Sequence, residues 1–412
     1  MPGELAARAA AETVARGSYG KLVAYLAART RDVAAAEDAL SDAFAAALAN
    51  WPERGIPRSP EAWLLAVARR KTIDAARRRR TGEGAEVHLM AQELEAAPVT
   101  DIPDQRLALM FACAHPAIDP AIRAPLILQT VLGFDAATIA SAFLVAPATM
   151  GQRLSRAKNK IREAGVPFRV PERADLRERL DAVLAAIYAA FAEGWSDPAG
   201  TEARRRNLSE EGIWLGRLVV SLLPDAPEAL GLLALMLFAE ARRAARRTAA
   251  GDYVPLAEQD VGAWDARLID EAETLLRRAS AMGEIGRYQL EAAVQSAHVV
   301  RRLTGTADWA AIEKLYDALL MLTWSPVVAI NRAVAVAETQ GAAAGLAALD
   351  ALSDDARLAE YQPYWAARAQ LLARMGQTQA AARAYERAIG LESDPAVRRF
   401  LQDHRSRLGE QG

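Results

Sequence analysis

Apolar residues recur along this chain mostly at spacings of three, four and seven, the period of a helix with one buried face, and alternating β-branched runs are almost absent. The expected fold is all-α. Residues 19–26 carry Leu22, Val23 and Leu26 on such a face, and residues 33–50 carry Leu40, Phe44, Ala47 and Leu48. The other side of the second helix holds Glu37, Asp38 and Asp42, acids that suit the positive end of a helix dipole. Three prolines and a glycine in WPERGIPRSP (51–60) then break the pattern. Ser59, Pro60 and Glu61 supply a cap, a first-turn proline and a first-turn acid for the next helix, 61–80. That helix is expected to bury Trp63, Leu64, Val67 and Ile73, and to expose Arg69, Arg70, Lys71, Arg77, Arg78, Arg79 and Arg80.

A tighter pattern lies between 136 and 162. Ile139 and Ala140 give a short helix its apolar side, Phe143, Leu144 and Val145 form a turn with a buried corner, and Pro147 opens a second helix. Met150, Leu154 and Ile161 keep an apolar stripe on that helix. Gln152, Arg153, Arg156, Lys158, Lys160 and Arg162 sit around it with no acid among them. Short helix, tight turn and basic helix is the helix-turn-helix pattern, whose second helix enters the major groove of DNA. The plainer reading is a helical hairpin with a solvated basic face.

Beyond 169 the helices are long, rich in Ala and Leu and punctuated by Pro or Gly: 176–192, 207–223, 227–247 and another from about 264. Gly305, Gly341 and Gly376 fall in steps of 36 and 35 at breaks between helical segments. Trp365, Leu372, Gly376, Ala381, Tyr385, Ala388 and Leu391 occupy the packing positions of a tetratricopeptide hairpin, so a short stack of such hairpins is expected, clearest over 287–395. Its concave face suits a peptide or protein ligand; the alternative is a stack that packs on the rest of the chain and stabilises it.

Charge sharpens this picture. The 412 residues carry a net charge of −2, so a uniformly basic coat is excluded, yet the charge is unevenly spread. Residues 54–80 hold nine basic side chains against Glu61 and Asp74; residues 81–105 hold six acids and no Lys or Arg; residues 146–162 return to +5. Two basic surfaces joined by an acidic connector point to two nucleic-acid contacts. Residues 169–412, with 29 basic and 34 acidic side chains, are acidic on balance. The single cysteine, Cys113, excludes an internal disulfide framework and suits a reducing compartment; with His115 it offers too few ligands for a metal. No apolar run reaches membrane-spanning length and no secretory leader is visible, so a cytoplasmic location away from the membrane is expected. A nucleophile–base pair, a glycine-rich phosphate loop and metal-ligand spacing are all missing from the pattern, so no catalysis and no cofactor are expected.

AEDALSDAF (36–44) followed by SPEAWLLAVARRKTIDAARRRR (59–80) resembles domain 2 of bacterial sigma factors of the extracytoplasmic-function group. Residues 104–168 resemble domain 4 of the same group, and RLALMFACAHPAIDPAIRAPLILQTVLGF with AFLVAPATMGQRLSRAKNKIREAGVPF resembles a subgroup with a long C-terminal extension. The resemblance covers the whole chain and implies four parts: domain 2 over 1–80, an acidic linker over 81–103, domain 4 over 104–168, and the helical extension over 169–412. It implies that Glu37, Asp38, Leu40, Asp42 and Phe44 dock on core RNA polymerase. Arg54, Arg58, Arg69, Arg70, Lys71, Asp74, Arg77 and Arg78 would hold the -10 promoter element, with the loop 51–59 as a pocket for an unstacked base. Thr149, Gln152, Arg153, Arg156 and Lys158 would read the -35 element, Lys158 through phosphate only. Gly151 inside the reading helix, and Ala146-Pro147 where the subgroup more often has Pro-Glu, depart from the pattern and leave base preference open.

For the acidic connector, mimicry of RNA in the polymerase channel and a solvated tether both fit. FAEGW (191–195) resembles a characteristic stretch of the subgroup's extension, with Glu193 either a ligand contact or a structural anchor. The rival function is a helix-turn-helix regulator with a helical-repeat sensor that is not a polymerase subunit. A further rival is a scaffold whose basic helices are only solvated faces.

Overall fold

A computed structural model describes residues 2–79, 102–143, 145–195 and 203–408. Among them every regular element is helical, with one isolated antiparallel bridge between Arg247 and Tyr253. The fold is all-α. The chain divides into two compact units, Met1–Ser196 with Glu202–Gly212, and Asp197–Thr201 with Ile213–Gly412. Leu144 and nearly all of the acidic connector lie outside the described residues.

The first unit begins with α1, Pro2–Thr30, much longer than the 19–26 segment expected, because Ala7, Ala11 and Val14 extend the buried stripe with residues too small to stand out by pattern. Asp32 caps α2, Val33–Arg54, by accepting from the Ala35 N–H at 3.0 Å. The helix runs through Pro52, which is tolerated in its last turn, and stops at Gly55 (φ +83°), whose N–H bonds the Trp51 carbonyl at 3.0 Å. Trp51 therefore faces the core rather than the loop, and its ring meets Trp63 edge-on at 5.5 Å. The buried face of α2 is Ala36, Ala39, Leu40, Ala43, Ala47 and Trp51; Leu48, expected on it, is 48% exposed. Small alanines let α2 lie close to α1, which moves the contact stripe away from Leu48.

Three facts tie α3, Pro60–Arg79, to α1. Leu64, Leu65, Ala68 and Ile73 are buried, Ser18 donates to Glu61, and Arg69 Nη2 donates to the hydroxyl of buried Tyr25. Arg69, expected on the open face, is only 6% exposed. The Tyr25 ring explains the difference: the guanidinium of Arg29 stacks on it at 3.6 Å and that of Arg69 lies at 5.1 Å.

Four further helices follow: α4, Arg106–Cys113; α5, Pro120–Leu132; α6, Ala136–Ala142; and α7, Pro147–Glu163. Every residue of α4 after Arg106 is buried, since α1, α5 and α8, Arg173–Trp195, all pack on it. Arg179 of α8 donates to the Phe111 carbonyl at 2.8 Å. Gly133 (φ +75°) ends α5, its N–H bonding the Gln129 carbonyl at 2.9 Å. Pro147 starts α7 as expected, and Met150, Leu154, Ala157 and Ile161 form its buried stripe.

After α9, Ala203–Leu222, the second unit is organised by α10, Pro227–Ala241, which is buried on nearly every side. It packs on α11, Ala266–Ser280, and α12, Arg287–Val299. Glu228 of α10 accepts from the N–H groups of Tyr288 and Gln289 at 3.0 and 3.1 Å, so one helix caps the next. A short turn of helix, α13 (Arg301–Thr304), leads to α14, Trp309–Thr323, α15, Pro326–Gln340, α16, Ala342–Asp350, α17, Gln362–Arg374, α18, Thr378–Leu391, and α19, Pro395–Arg407. From α14 on, each packs on its successor. Gly305, Gly341 and Gly376 all have positive φ and sit at helix breaks, where an L side chain would be strained. Leu372, Ala381, Tyr385 and Ala388 lie in one buried cluster with Tyr364 and Leu401.

Two glycines make opposite predictions. A methyl at Gly151 meets open space, so Gly151→Ala should stabilise α7 by about 0.5–1 kcal/mol. At Gly286 a methyl would fall 2.1 Å from the Glu228 carboxyl carbon, so Gly286→Ala should displace that cap and cost about 1–2 kcal/mol. Hydrogen exchange of the α7 and α12 amides checks both; shifts of the same sign in the two helices would contradict this packing.

Candidate nucleic-acid interface

Burying Met150, Leu154, Ala157 and Ile161 on one side of α7 forces the residues between them outward. Gln152, Arg153, Arg156 and Lys160 are exposed, and Thr149 is half-buried beside them. Arg153 and Arg156 have no partner among the described residues. Each guanidinium therefore has five free donors in a planar fork, the geometry that matches phosphate oxygens or the acceptor edge of guanine.

Lys158 is different. Its Nζ lies 2.6 Å from Glu37 Oε2 of α2, with the two side chains only 13% and 12% exposed. One turn on, Arg162 reaches Asp32 at 3.3 Å. Glu37 Oε1 is buried without a hydrogen-bond partner among the described residues. Burial raises the Glu37 pKa above its usual value of 4.5, Lys158 opposes that rise, and Asp38 adds to it. The neighbouring Tyr19 hydroxyl is pushed up as well, by burial and then by Glu37 and Asp38. So the acidic side of α2 divides: Glu37 turns in to α7, while Asp38 and Asp42 remain exposed, Asp42 3.4 Å from Lys71. Leu40 is wholly buried and belongs to the core, and Phe44 is partly covered.

Arg54 and Arg58 at the loop after α2, and Arg70 and Lys71 on α3, are all exposed, and the first three have no partner among the described residues. Arg54 and Arg58 flank Gly55, Ile56 and Pro57, a short surface turn, while Arg70 and Lys71 lie farther along α3, Lys71 beside Asp42 of α2. Arg69, fixed on Tyr25, does not join them. The side chains of Asp74, Arg77 and Arg78 lie outside the described residues, as does that of Glu193.

Sequence reasoning missed the contact that brings these elements together. A Cβ on Gly20 of α1 would fall 2.0 Å from the Val131 carbonyl oxygen of α5, and one on Gly133 would meet the Tyr19 ring at 3.0 Å. The signal was there in Gly20, a helix-weakening residue flanked by Tyr19 and Lys21, but a lone glycine names no partner. Cys113 lies beneath the same region, its Sγ 3.4 Å from Thr130 Oγ1 and its thiol pushed up to about 12, chiefly by burial.

Residues 16–81, which take in most of α1, all of α2 and α3, and the exposed loop between them, match sigma-70 region 2. A region 2 domain at this place supports a sigma-70 family factor. Its region 2 is the part that, in that family, binds core RNA polymerase and promoter DNA. Residues 179–280 match a family of unknown function, DUF6596. An uncharacterised protein of Rhizobium meliloti (strain 1021) is 39% identical over 402 residues, covering 94% of this chain and 93% of its own. No solved structure matches the chain. No described helix is long and apolar enough to cross a membrane, and no group of three or more His, Cys, Asp or Glu among the described residues is placed to hold a metal.

The Lys158–Glu37 pair predicts a pH-dependent cost. Lys158→Met leaves a buried carboxylate without its cation, and should lower the stability of the first unit by about 2–3 kcal/mol at pH 8. A raised folded pKa means the protonated form is the better tolerated one. The stability deficit therefore shrinks as pH falls toward 4.5 and grows as pH rises through the folded value. Urea unfolding read by exchange of the α2 amides at pH 5 and pH 8 measures this; an equal deficit at both values would contradict it.

Proposed function

We propose that the chain is an extracytoplasmic-function-type sigma factor, a subunit that directs RNA polymerase in the cytoplasm to a particular set of promoters. The observation that carries this reading is the region 2 match over residues whose outer surface presents exposed Asp38 and Asp42 on one helix, exposed Arg54 and Arg58 at the next turn, and exposed Arg70 and Lys71 on the helix after it. A non-catalytic protein that opens duplex DNA does so by trapping bases that have left the stack, with cations holding the strand beside them. The turn around Ile56, flanked by Arg54 and Arg58, suits that work on the -10 element, and Arg70, Lys71, Asp74, Arg77 and Arg78 along α3 would extend the track. Asp38, Asp42 and Phe44 are the docking residues on this reading.

The helix pair α6 and α7 serves as the helix-turn-helix of a domain 4 over 104–168. Thr149, Gln152, Arg153 and Arg156 face the groove and its phosphates at -35. Arg153 and Arg156, being exposed and unpaired among the described residues, carry most of the affinity. Such contacts release counterions, so binding falls steeply with salt. The later helices form a tetratricopeptide-like stack that regulates the sigma domains through a peptide or protein ligand.

Titration of labelled full-length protein with purified core RNA polymerase tests the reading. Saturable submicromolar binding is expected, weakened at least tenfold by Asp38→Arg with Asp42→Arg. Run-off transcription from the cognate promoter should fall at least tenfold for Arg153→Ala with folding unchanged. A stable promoter complex formed without polymerase, and no polymerase binding, would instead favour a free-standing regulator.

A further inference from the structure

The second unit gathers positive charge in a place without counter-charge. Gln295, His298 and Arg301 follow one another at intervals of three, so α12 and the turn after it present them on one face. Arg242, at the end of α10, reaches this face: its Nη2 donates to Gln295 Oε1 and its Nε to the Phe238 carbonyl at 3.3 Å. Arg301 spends its Nη1 on the Leu256 and Ala257 carbonyls, both at 2.8 Å, and its Nη2 on the Gln259 carbonyl. All these acceptors are neutral, and neither guanidinium meets a carboxylate among the described residues. Arg242 Nη1, Arg301 Nε and both ring nitrogens of His298 have no hydrogen-bond partner there. Trp264, its ring 5.3 Å from the Arg301 guanidinium, adds a buried indole N–H without an acceptor. Trp309 of α14 meets the His298 imidazole edge-on at 5.4 Å.

These groups repel one another. Burial, and then Arg242 and Arg301, lower the His298 pKa to about 4. Burial, then Arg246 and Arg301 against an opposing Tyr316, lower that of Arg242 to about 10. Tyr316 of α14 is pushed up to about 12 by burial and Glu291, so its hydroxyl stays protonated. Carboxylates on and against α12 are committed elsewhere: Glu228 to the amides of its first turn, Glu291 to Arg287 at 2.7 Å, and Glu273 to Ser296 at 2.6 Å. Arg242 and Arg301 are both half-buried, where a cation without a counter-charge is costly. An anion between them relieves the repulsion.

We propose that Arg242, His298 and Arg301 form a binding site for the phosphate group of a small molecule. Two fixed guanidinium charges match a group that carries about −1.5 to −2 at neutral pH, and their planar forks suit its oxygens. A carboxylate leaves one of the two charges unbalanced. The imidazole, neutral beside two cations, takes up a proton as the dianion arrives and donates to it. The site lies within the second unit and stands apart from the sigma reading.

The test is an NMR titration of the full chain carrying 13C at the histidine Cε1 positions, with His298→Gln identifying the signal. Inorganic phosphate replaces sodium chloride at constant ionic strength, so that screening stays fixed. It should saturate with a Kd below about 1 mM and raise the His298 pKa from about 4 by about one to three. A His298 signal and pKa unmoved at about twenty times that concentration overturn the site. Arg242→Gln should weaken phosphate binding roughly tenfold or more by calorimetry; unchanged affinity with helix content intact overturns the placement. The wild-type titration stands whether or not that variant folds. Acetate should bind roughly tenfold more weakly than phosphate, and equal binding overturns the assignment to phosphate. Ribose 5-phosphate separates the sources: tighter binding than the free ion identifies a phosphorylated metabolite and weaker binding identifies phosphate itself, each in support of the site.

Discussion

The close approach of α1 to α5 at Gly20 is the constraint on which the first unit depends. Because no Cβ stands between the helices, a carbonyl oxygen reaches the α1 backbone. That distance fixes how deeply Tyr19 and Tyr25 are buried and where α2 lies relative to α7. The consequences are electrostatic as well as steric. Glu37 becomes buried, which raises its pKa, and Lys158 is the cation that makes the burial tolerable. A glycine that weakens its own helix thus places two charges two helices away.

The second organising idea is a division of labour among arginines. Arg69 and Arg179 are spent on the fold, one on a tyrosine hydroxyl and the other on a backbone carbonyl. Arg54, Arg58, Arg70, Arg153 and Arg156 lie on the surface. In sequence these two sets look alike. What separates them is whether an acceptor happens to lie within reach on a neighbouring helix, and that depends on packing.

Much of the fold was legible because helices announce themselves at their ends. Pro60, Pro147 and Pro227 start helices where a first-turn proline belongs, and Gly305, Gly341 and Gly376 stand at breaks. The buried stripe of α7 was readable from Met150, Leu154 and Ile161, since large apolar residues on a basic helix contrast sharply with their neighbours. The early turns of α1 were not, because alanine is buried or exposed with little difference in pattern. Placing Arg69 or Leu48 correctly needed the position of a second helix, whereas Leu40 already stood on the apolar face of its own helix. The exposed candidates on α7 and around the 55–58 turn were accessible to sequence reasoning for the opposite reason: a surface residue is defined by what its own helix turns away from the core.

The cap that Glu228 lends to α12 bears on how the second unit comes apart. In a simple array of hairpins each repeat leans only on its nearest neighbours, and the stack can fray from either end. Here the first turn of one helix is finished by a carboxylate from another, and α10 has almost no face that is not covered. Those helices must melt as a single cooperative block. Helices α15 to α19 share a buried cluster of their own and can open while that block stays intact.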